Sequence, residues 1–304
     1  MSSLSETLQE KAKNELGEKV EWRDRDIQAL RDLLKSDLAL HCPLEDDNFL
    51  LMFLRARKFD YENAAKLVRR YYEVRIEYPD FYKKYRPSFA KENYEKGMYL
   101  KLPKSKETDP VPLLVRLALW DPSTAGIDDV IRANIMQVEK VIRSEEVQVN
   151  GIVMLMDVNQ LTWAHAKSMN PFVAKRTMAI LQHAMPCRVK GIHYVNVPHF
   201  FEYVFAMVKQ FMSDKLKSRI HIHSSPEYLK EHFSLDVLPE SLGGTLVTEP
   251  YVKSWAEEMA NSEDEFISRE RYGIKRVETV ADNSHKQADA AGGITGTFKK
   301  LNCD

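Results

Sequence analysis

Glycine is scarce in this chain, at 11 of 304 residues. That scarcity argues against repeated glycine-rich phosphate loops. The nucleotide and nucleophile fingerprints are missing as well: no G-x-G-x-x-G follows a strand-like run, and neither G-x-x-x-x-G-K-S/T nor G-x-S-x-G occurs. Cysteine is sparse too. Cys42, Cys187 and Cys303 are odd in number and far apart, so they form no disulfide framework and no pair with zinc-ligand spacing. A reduced, cytoplasmic protein fits this usage. Long apolar runs are absent. The most apolar stretches, Pro112–Trp120, Gly151–Val158 and Pro198–Met212, all fall short of the roughly 20 residues that a spanning helix needs. Residues 1–19 alternate charged and apolar positions and hold no signal-peptide core. Excess charge is also missing, with 44 Lys+Arg against 45 Asp+Glu. No global basic field exists to hold nucleic acid, so any anionic partner has to be met by a local patch.

The remainder is that of an ordinary globular protein, 44% hydrophobic and 29% charged, long enough for one large or two modest domains. Residues 1–95 read as a helical domain. Ile27, Leu30, Leu33 and Leu34 follow helical spacing within Trp22–Lys35. Asp46 or Asp47 can cap the next helix, and Asp60 a third that ends at Pro79. From about residue 96 to 250 the pattern becomes α/β. Met98–Leu102, Leu113–Trp120, Gly151–Val158, Arg188–Val197 and Arg219–His223 read as strands. Between them lie a helix capped by Asp128, one opened by Asn170 and Pro171, one over Pro198–Met212 and a short one near Asp214–Lys217, and Ser225-Pro226 starts another after the last strand. Strands alternating with helices imply right-handed crossovers and a mainly parallel sheet. Residues 251–304 read as a C-terminal helix followed by a tail, disordered over Asp282–Asp304.

Candidates for reaction chemistry are weak. His221 and His223 share a strand face, but no acidic or cysteine partner stands at a convincing spacing, and a structural role is expected. Asp157 ends a buried strand, where a cap or loop anchor is expected.

Pro198–Met212 is more informative because it is apolar twice. Phe200, Val204, Met207 and Phe211 follow steps of 4, 3 and 4, and Phe201, Phe205, Val208 and Met212 repeat them one residue on. A helix packed on one side needs a single stripe. Two stripes suit either a deeply buried helix or a lid that closes a cavity with one and shows the other to solvent or lipid. Arg188 and Lys190 open one strand, and Lys215, Lys217 and Arg219 follow the lid, which itself carries Lys209. Basic groups beside an amphipathic element attract anionic lipid headgroups, at about 1 kcal/mol each.

Three motifs in this order resemble the CRAL-TRIO family of lipid-transfer proteins: Phe53-Leu54-Arg55-Ala56-Arg57-Lys58-Phe59, Arg188-Val189-Lys190-Gly191-Ile192-His193, and Leu238-Pro239 with Gly243-Gly244. The resemblance spans about residues 20–250. It implies an all-α N-terminal domain and a lipid-binding α/β domain with a mobile lid near Val197–Met212. The family's tocopherol-carrying members hold a phosphatidylinositol bisphosphate headgroup at positions matching Arg188, Lys190, Lys215 and Arg219. Arg57 matches a further basic position, for which packing within the helical domain is expected. Pocket positions fall on Ile131, Asn134, Ile135, Val138, Ile152, Met154, Met156, Thr177, Ile180, Leu181, Val189 and Ile192. Outward membrane contacts fall on Phe200, Val204 and Met207, with Trp163 nearby. Asn134 and Val138 replace two serines of the tocopherol-carrying members, and Lys167 replaces an apolar membrane contact. The resemblance thus implies a monomeric, non-enzymatic carrier of a tocopherol, retinoid or similar isoprenoid. It needs no metal or cofactor and binds no nucleic acid. It would visit phosphoinositide-containing endosomal or plasma membranes transiently. A phosphoinositide-binding signalling adaptor and a general phospholipid exchanger are the alternatives.

Overall fold

The computed structural model describes residues 4–275, so the expected disordered tail and Cys303 lie outside the described residues. Helices come first: α1 (Glu6–Leu16), α2 (Arg23–Lys35), α3 (Asp47–Ala56), α4 (Tyr61–Glu77), α5 (Pro79–Tyr82) and α6 (Lys91–Glu95). The short strand β1 (Leu40–His41) lies between α2 and α3. Asp46 and Asp60 cap α3 and α4 as their spacing predicts, accepting from the backbone N–H groups of Phe49 and Asn63 at 2.9 and 3.0 Å. Pro79 follows the end of α4 and opens α5 in turn.

Then come β2 (Tyr99–Lys101), β3 (Val111–Arg116), α7 (Ile127–Val141), α8 (Glu145–Asn150), β4 (Ile152–Asp157), α9 (Trp163–Ser168), α10 (Pro171–Ala179), β5 (Val189–Val195), α11 (Phe201–Lys209), α12 (Asp214–Lys217), β6 (Ile220–Ile222), α13 (Glu249–Ala260), α14 (Glu263–Arg269) and β7 (Gly273–Ile274). The main sheet runs β2-β3-β4-β5-β6, with β2 antiparallel and the other pairings parallel. This is the mainly parallel α/β sheet expected. Ile152–Leu155 at its centre are buried, as a continuous apolar run requires. β7 returns to pair antiparallel with β1.

Three local expectations change. Asp128 does not cap α7. Gly126 does, with its N–H donating to the Asp129 carboxylate at 3.3 Å, and Asp128 pairs with Arg176 at 3.2 Å instead. The run to Trp120 leaves the sheet at Arg116 and turns through a 3-10 helix over Leu117–Leu119. The helix near Ser225 is likewise a 3-10 helix, Pro226–Glu231.

One fully buried arginine ties the helical part to α8, the helix that precedes the central strand. Arg55 donates to Glu18 at 2.8 and 2.9 Å, to Glu145 at 2.9 Å and to Gln148 at 2.8 Å. A buried guanidinium is tolerated only when its N–H groups are matched this way. The network joins the segment after α1 to α3 and α8. Leu4, Leu8, Ala12 and Leu16 of the N-terminal segment pack with Val149 of α8 in a small core of their own. α1 therefore lies beside the start of β5.

Candidate functional site

One face of the sheet, with α7, α10 and α11, encloses an apolar cavity of about 240 Å³. Eleven of the twelve expected pocket residues line it: Ile131, Asn134, Ile135 and Val138 from α7, Ile152, Met154 and Met156 from β4, Thr177, Ile180 and Leu181 from α10 and its π-helical continuation, and Ile192 from β5. Val189 does not. It is buried as the register partner of Ile152 at the start of β5, below the stretch of the strand, Ile192 and Tyr194, that reaches the cavity. Six methionines, Met154, Met156, Met169, Met178, Met185 and Met212, also line the cavity. Their unbranched side chains let the wall adapt to an occupant larger than the closed volume. Most polar groups on the wall are satisfied internally. Tyr99 donates to the Val130 carbonyl at 2.7 Å, Thr177 to the Val173 carbonyl at 2.9 Å and Trp120 to the Ala125 carbonyl at 2.8 Å. Asn134, which accepts from Gln137 at 2.8 Å, keeps donor capacity toward a ligand.

α11 covers this cavity as a surface helix, since Phe201 is its only buried residue. The deeply buried alternative is thereby excluded. Phe201, Phe205, Val208 and Met212 form the inner stripe. Phe200 and Val204, expected to face outward, also line the cavity, because an arc this wide wraps beyond one face. Met207 is half-buried outside the lining. The exposed rings at this end are Tyr203 at 77%, Phe172 at 67% and Trp163 at 58%, and Trp163 packs on Phe200 at 4.7 Å. Phe172 escaped the sequence reading because a single aromatic after a helix-opening proline carries no periodic signal. Lys167 ends α9.

The basic positions converge at the other end of β5. Arg188 and Lys190 both donate to one carboxylate oxygen of Glu15 on α1, at 2.6 and 3.0 Å. Burial pushes the Glu15 carboxyl up, but these two hydrogen bonds outweigh it and hold the group down at about 2. Arg188 also donates to the Val149 carbonyl and Arg219 to the Val189 carbonyl. Burial first, then the charges of Arg219, Arg57, Lys58 and Arg188, lower the Lys215 ammonium. Among the described residues, Arg57, Lys215 and Arg219 form no ion pair. Burial lowers Arg57, whose charge also acts on Lys215, while Arg55 carries the hydrogen bonds that brace the helical domain. Gly151, at φ +81°, makes room for this end of β5: a Cβ there would lie 2.3 Å from the Arg188 carbonyl oxygen. Glu15 is the participant that sequence reading missed, since its partners lie more than 170 residues away along the chain.

Cavity and cleft share elements. Leu216 lines the cavity while its neighbour Lys215 belongs to the cleft, and α12, which carries both, is the next helix after α11. Gln182 pins the join, donating to the Phe211 carbonyl at 2.9 Å and accepting from the Ser213 N–H at 2.6 Å.

The CRAL/TRIO domain model matches residues 97–244, and the CRAL/TRIO N-terminal domain model matches residues 6–69. The chain is a member of the CRAL/TRIO family. It is 40% identical over 266 residues to alpha-tocopherol transfer protein-like from Mus musculus, covering 87% of this chain and 77% of that one. It is 30% identical over 266 residues to Clavesin-2 from Rattus norvegicus, covering 86% and 81% respectively. The crystal structure of Sfh5 superposes with a TM-score of 0.51 at 13% identity, covering 95% of this chain and 99% of that one, which supports the shared fold alone. The chain thus joins a family of lipid-binding proteins. Among the described residues no helix is long and apolar enough to cross a membrane.

Proposed function

We propose that the protein carries one hydrophobic ligand of the tocopherol, retinoid or related isoprenoid class and delivers it to membranes bearing phosphoinositides. The observation that carries this reading is the single segment, α11 through Arg219, that walls the apolar cavity and also supplies cleft cations. The name of the mouse relative points to the same ligand class. Burying roughly 400–500 Å² of lipid at about 25 cal/mol/Å² contributes on the order of 10–12 kcal/mol before the costs of binding. Such a carrier holds its cargo in water and needs a signal to release it. In this reading a polyanionic headgroup displaces the single Glu15 carboxylate from Arg188 and Lys190, engages Lys215 and Arg219, and draws α12 and the lid away from the cavity. It selects the open state only by binding that state more tightly. The protein is then a monomeric cytoplasmic carrier that visits endosomal or plasma membranes and transforms nothing.

Native mass spectrometry of the purified chain, followed by lipid extraction, tests the cargo. One isoprenoid per chain is the expected result. A stoichiometric phospholipid would replace this reading with general phospholipid exchange, and a chain that copurifies and takes up no lipid would favour an adaptor.

A further inference from the structure

Four histidines gather on the side of β5 turned away from the cavity. Ile192 and Tyr194 line the cavity, so strand alternation sends His193 to the opposite face. There its ring stacks on His221 at 4.6 Å and on His223 at 5.2 Å, both from β6 and its end, and meets His232 edge-on at 4.8 Å. His232 follows the 3-10 helix Pro226–Glu231. His193 and His223 are buried, and His193 Nδ1 lies 2.9 Å from His223 Nε2. The ligating nitrogens of His193, His223 and His232 lie within 4.8 Å of one another. Gly191 leaves the space for this arrangement, since a Cβ there would stand 2.9 Å from His193 Nε2.

Spacing along the chain shows only the pair His221 and His223, 28 or more residues from His193, and the parallel β5–β6 register supplies the missing partner by setting His193 opposite His221. We propose that His193, His223 and His232 bind a divalent transition-metal ion of the zinc class, with His221 as a neighbouring fourth imidazole. Convergent imidazoles suit zinc, copper and nickel rather than calcium or magnesium. Tetrahedral zinc at about 2.0–2.1 Å from each nitrogen calls for nitrogens roughly 3.4 Å apart. The exposed His232 side chain closes that difference by rotating inward. An ion there ties the edge strand β6 and the 226–233 segment to β5, the strand that carries both cavity wall and basic cleft.

The test uses the full chain without an affinity tag, stripped with a chelator and then titrated with Zn²⁺ or Co²⁺ alone. The expected result is about one Zn²⁺ retained per chain after desalting, together with the visible absorption of tetrahedral Co²⁺. His232→Ala, an exposed position that leaves the fold intact by circular dichroism, should weaken binding by at least about tenfold, and His223→Ala should do the same. Substoichiometric uptake by the stripped wild-type chain, or uptake that His232→Ala leaves unchanged, overturns the proposal.

Discussion

Glu15 is the residue on which the resting state turns. It neutralises Arg188 and Lys190 together, and its carboxyl is held at about 2. A carboxyl whose folded-state value is depressed contributes stability above its unfolded value near 4.5, and loses that contribution as the pH falls toward 2. The α1 contact with β5 is therefore expected to persist through the physiological range and to loosen only between about pH 4.5 and 2. Limited proteolysis of α1 across that range reports the loosening. Glu15→Gln removes the competing charge at neutral pH. It should tighten association with phosphatidylinositol bisphosphate vesicles by about fivefold, the equivalent of one charge worth about 1 kcal/mol at the surface. Cosedimentation with vesicles measures it, and unchanged association would show that Glu15 does not compete with the headgroup. Arg55 plays a different part. Arg55→Ala leaves the buried Glu18 to Arg23 alone, removes the donor to Gln148 and opens a void where a fully buried side chain stood, and should cost about 3–5 kcal/mol in urea unfolding. The family motif contains both arginines, and nothing in the local pattern says that it is Arg55 whose guanidinium meets the carboxylates of Glu18 and Glu145.

At the scale of elements, what the sequence disclosed and what it withheld separate cleanly. Caps at Asp46, Asp60 and Asn170 were legible, since each is settled within four residues by a side chain meeting a nearby N–H. The two stripes of α11 were legible as periodicity, and the helix does cover a cavity with Phe201, Phe205, Val208 and Met212. Phe200 and Val204, read as outward, are half-buried and also line the cavity, because periodicity gives a direction around the helix but not how far neighbouring elements curl over it. Val189 is buried at the start of β5 but outside the lining, since an apolar residue in a strand does not disclose how far along that strand a cavity extends. Contacts that link distant segments, Glu15 with Arg188 and His193 with His232, carried no sequence signal at all. The lid's hinge is one such contact. Gln182→Ala removes both hydrogen bonds that pin Phe211 and Ser213. It should speed release of a bound fluorescent isoprenoid severalfold in stopped flow while leaving the thermal midpoint within a few degrees. An unchanged release rate would place the hinge elsewhere.

For the whole molecule, the arrangement is a division of labour along one sheet. The parallel strands hold the cavity wall at Met154, Met156 and Ile192, the helical domain brings Arg57 and Glu15 to the cleft, and α12 joins cavity to cleft through Leu216 and Lys215. In a chain with net charge −1 these cations are a local concentration, and the proposed function gives them an anionic surface to meet. The account rests on the claim that cleft occupancy by a phosphoinositide opens the cavity. Arg188 and Arg219 also hold backbone carbonyls, so the cleaner substitution is Lys190→Ala with Lys215→Ala. The deciding measurement is transfer of a fluorescent isoprenoid from the loaded protein to acceptor vesicles with and without phosphatidylinositol bisphosphate. The account predicts that the phosphoinositide accelerates transfer by the wild-type chain, and that the double variant loses this acceleration while binding the ligand equally well. Equal acceleration in both proteins would contradict it.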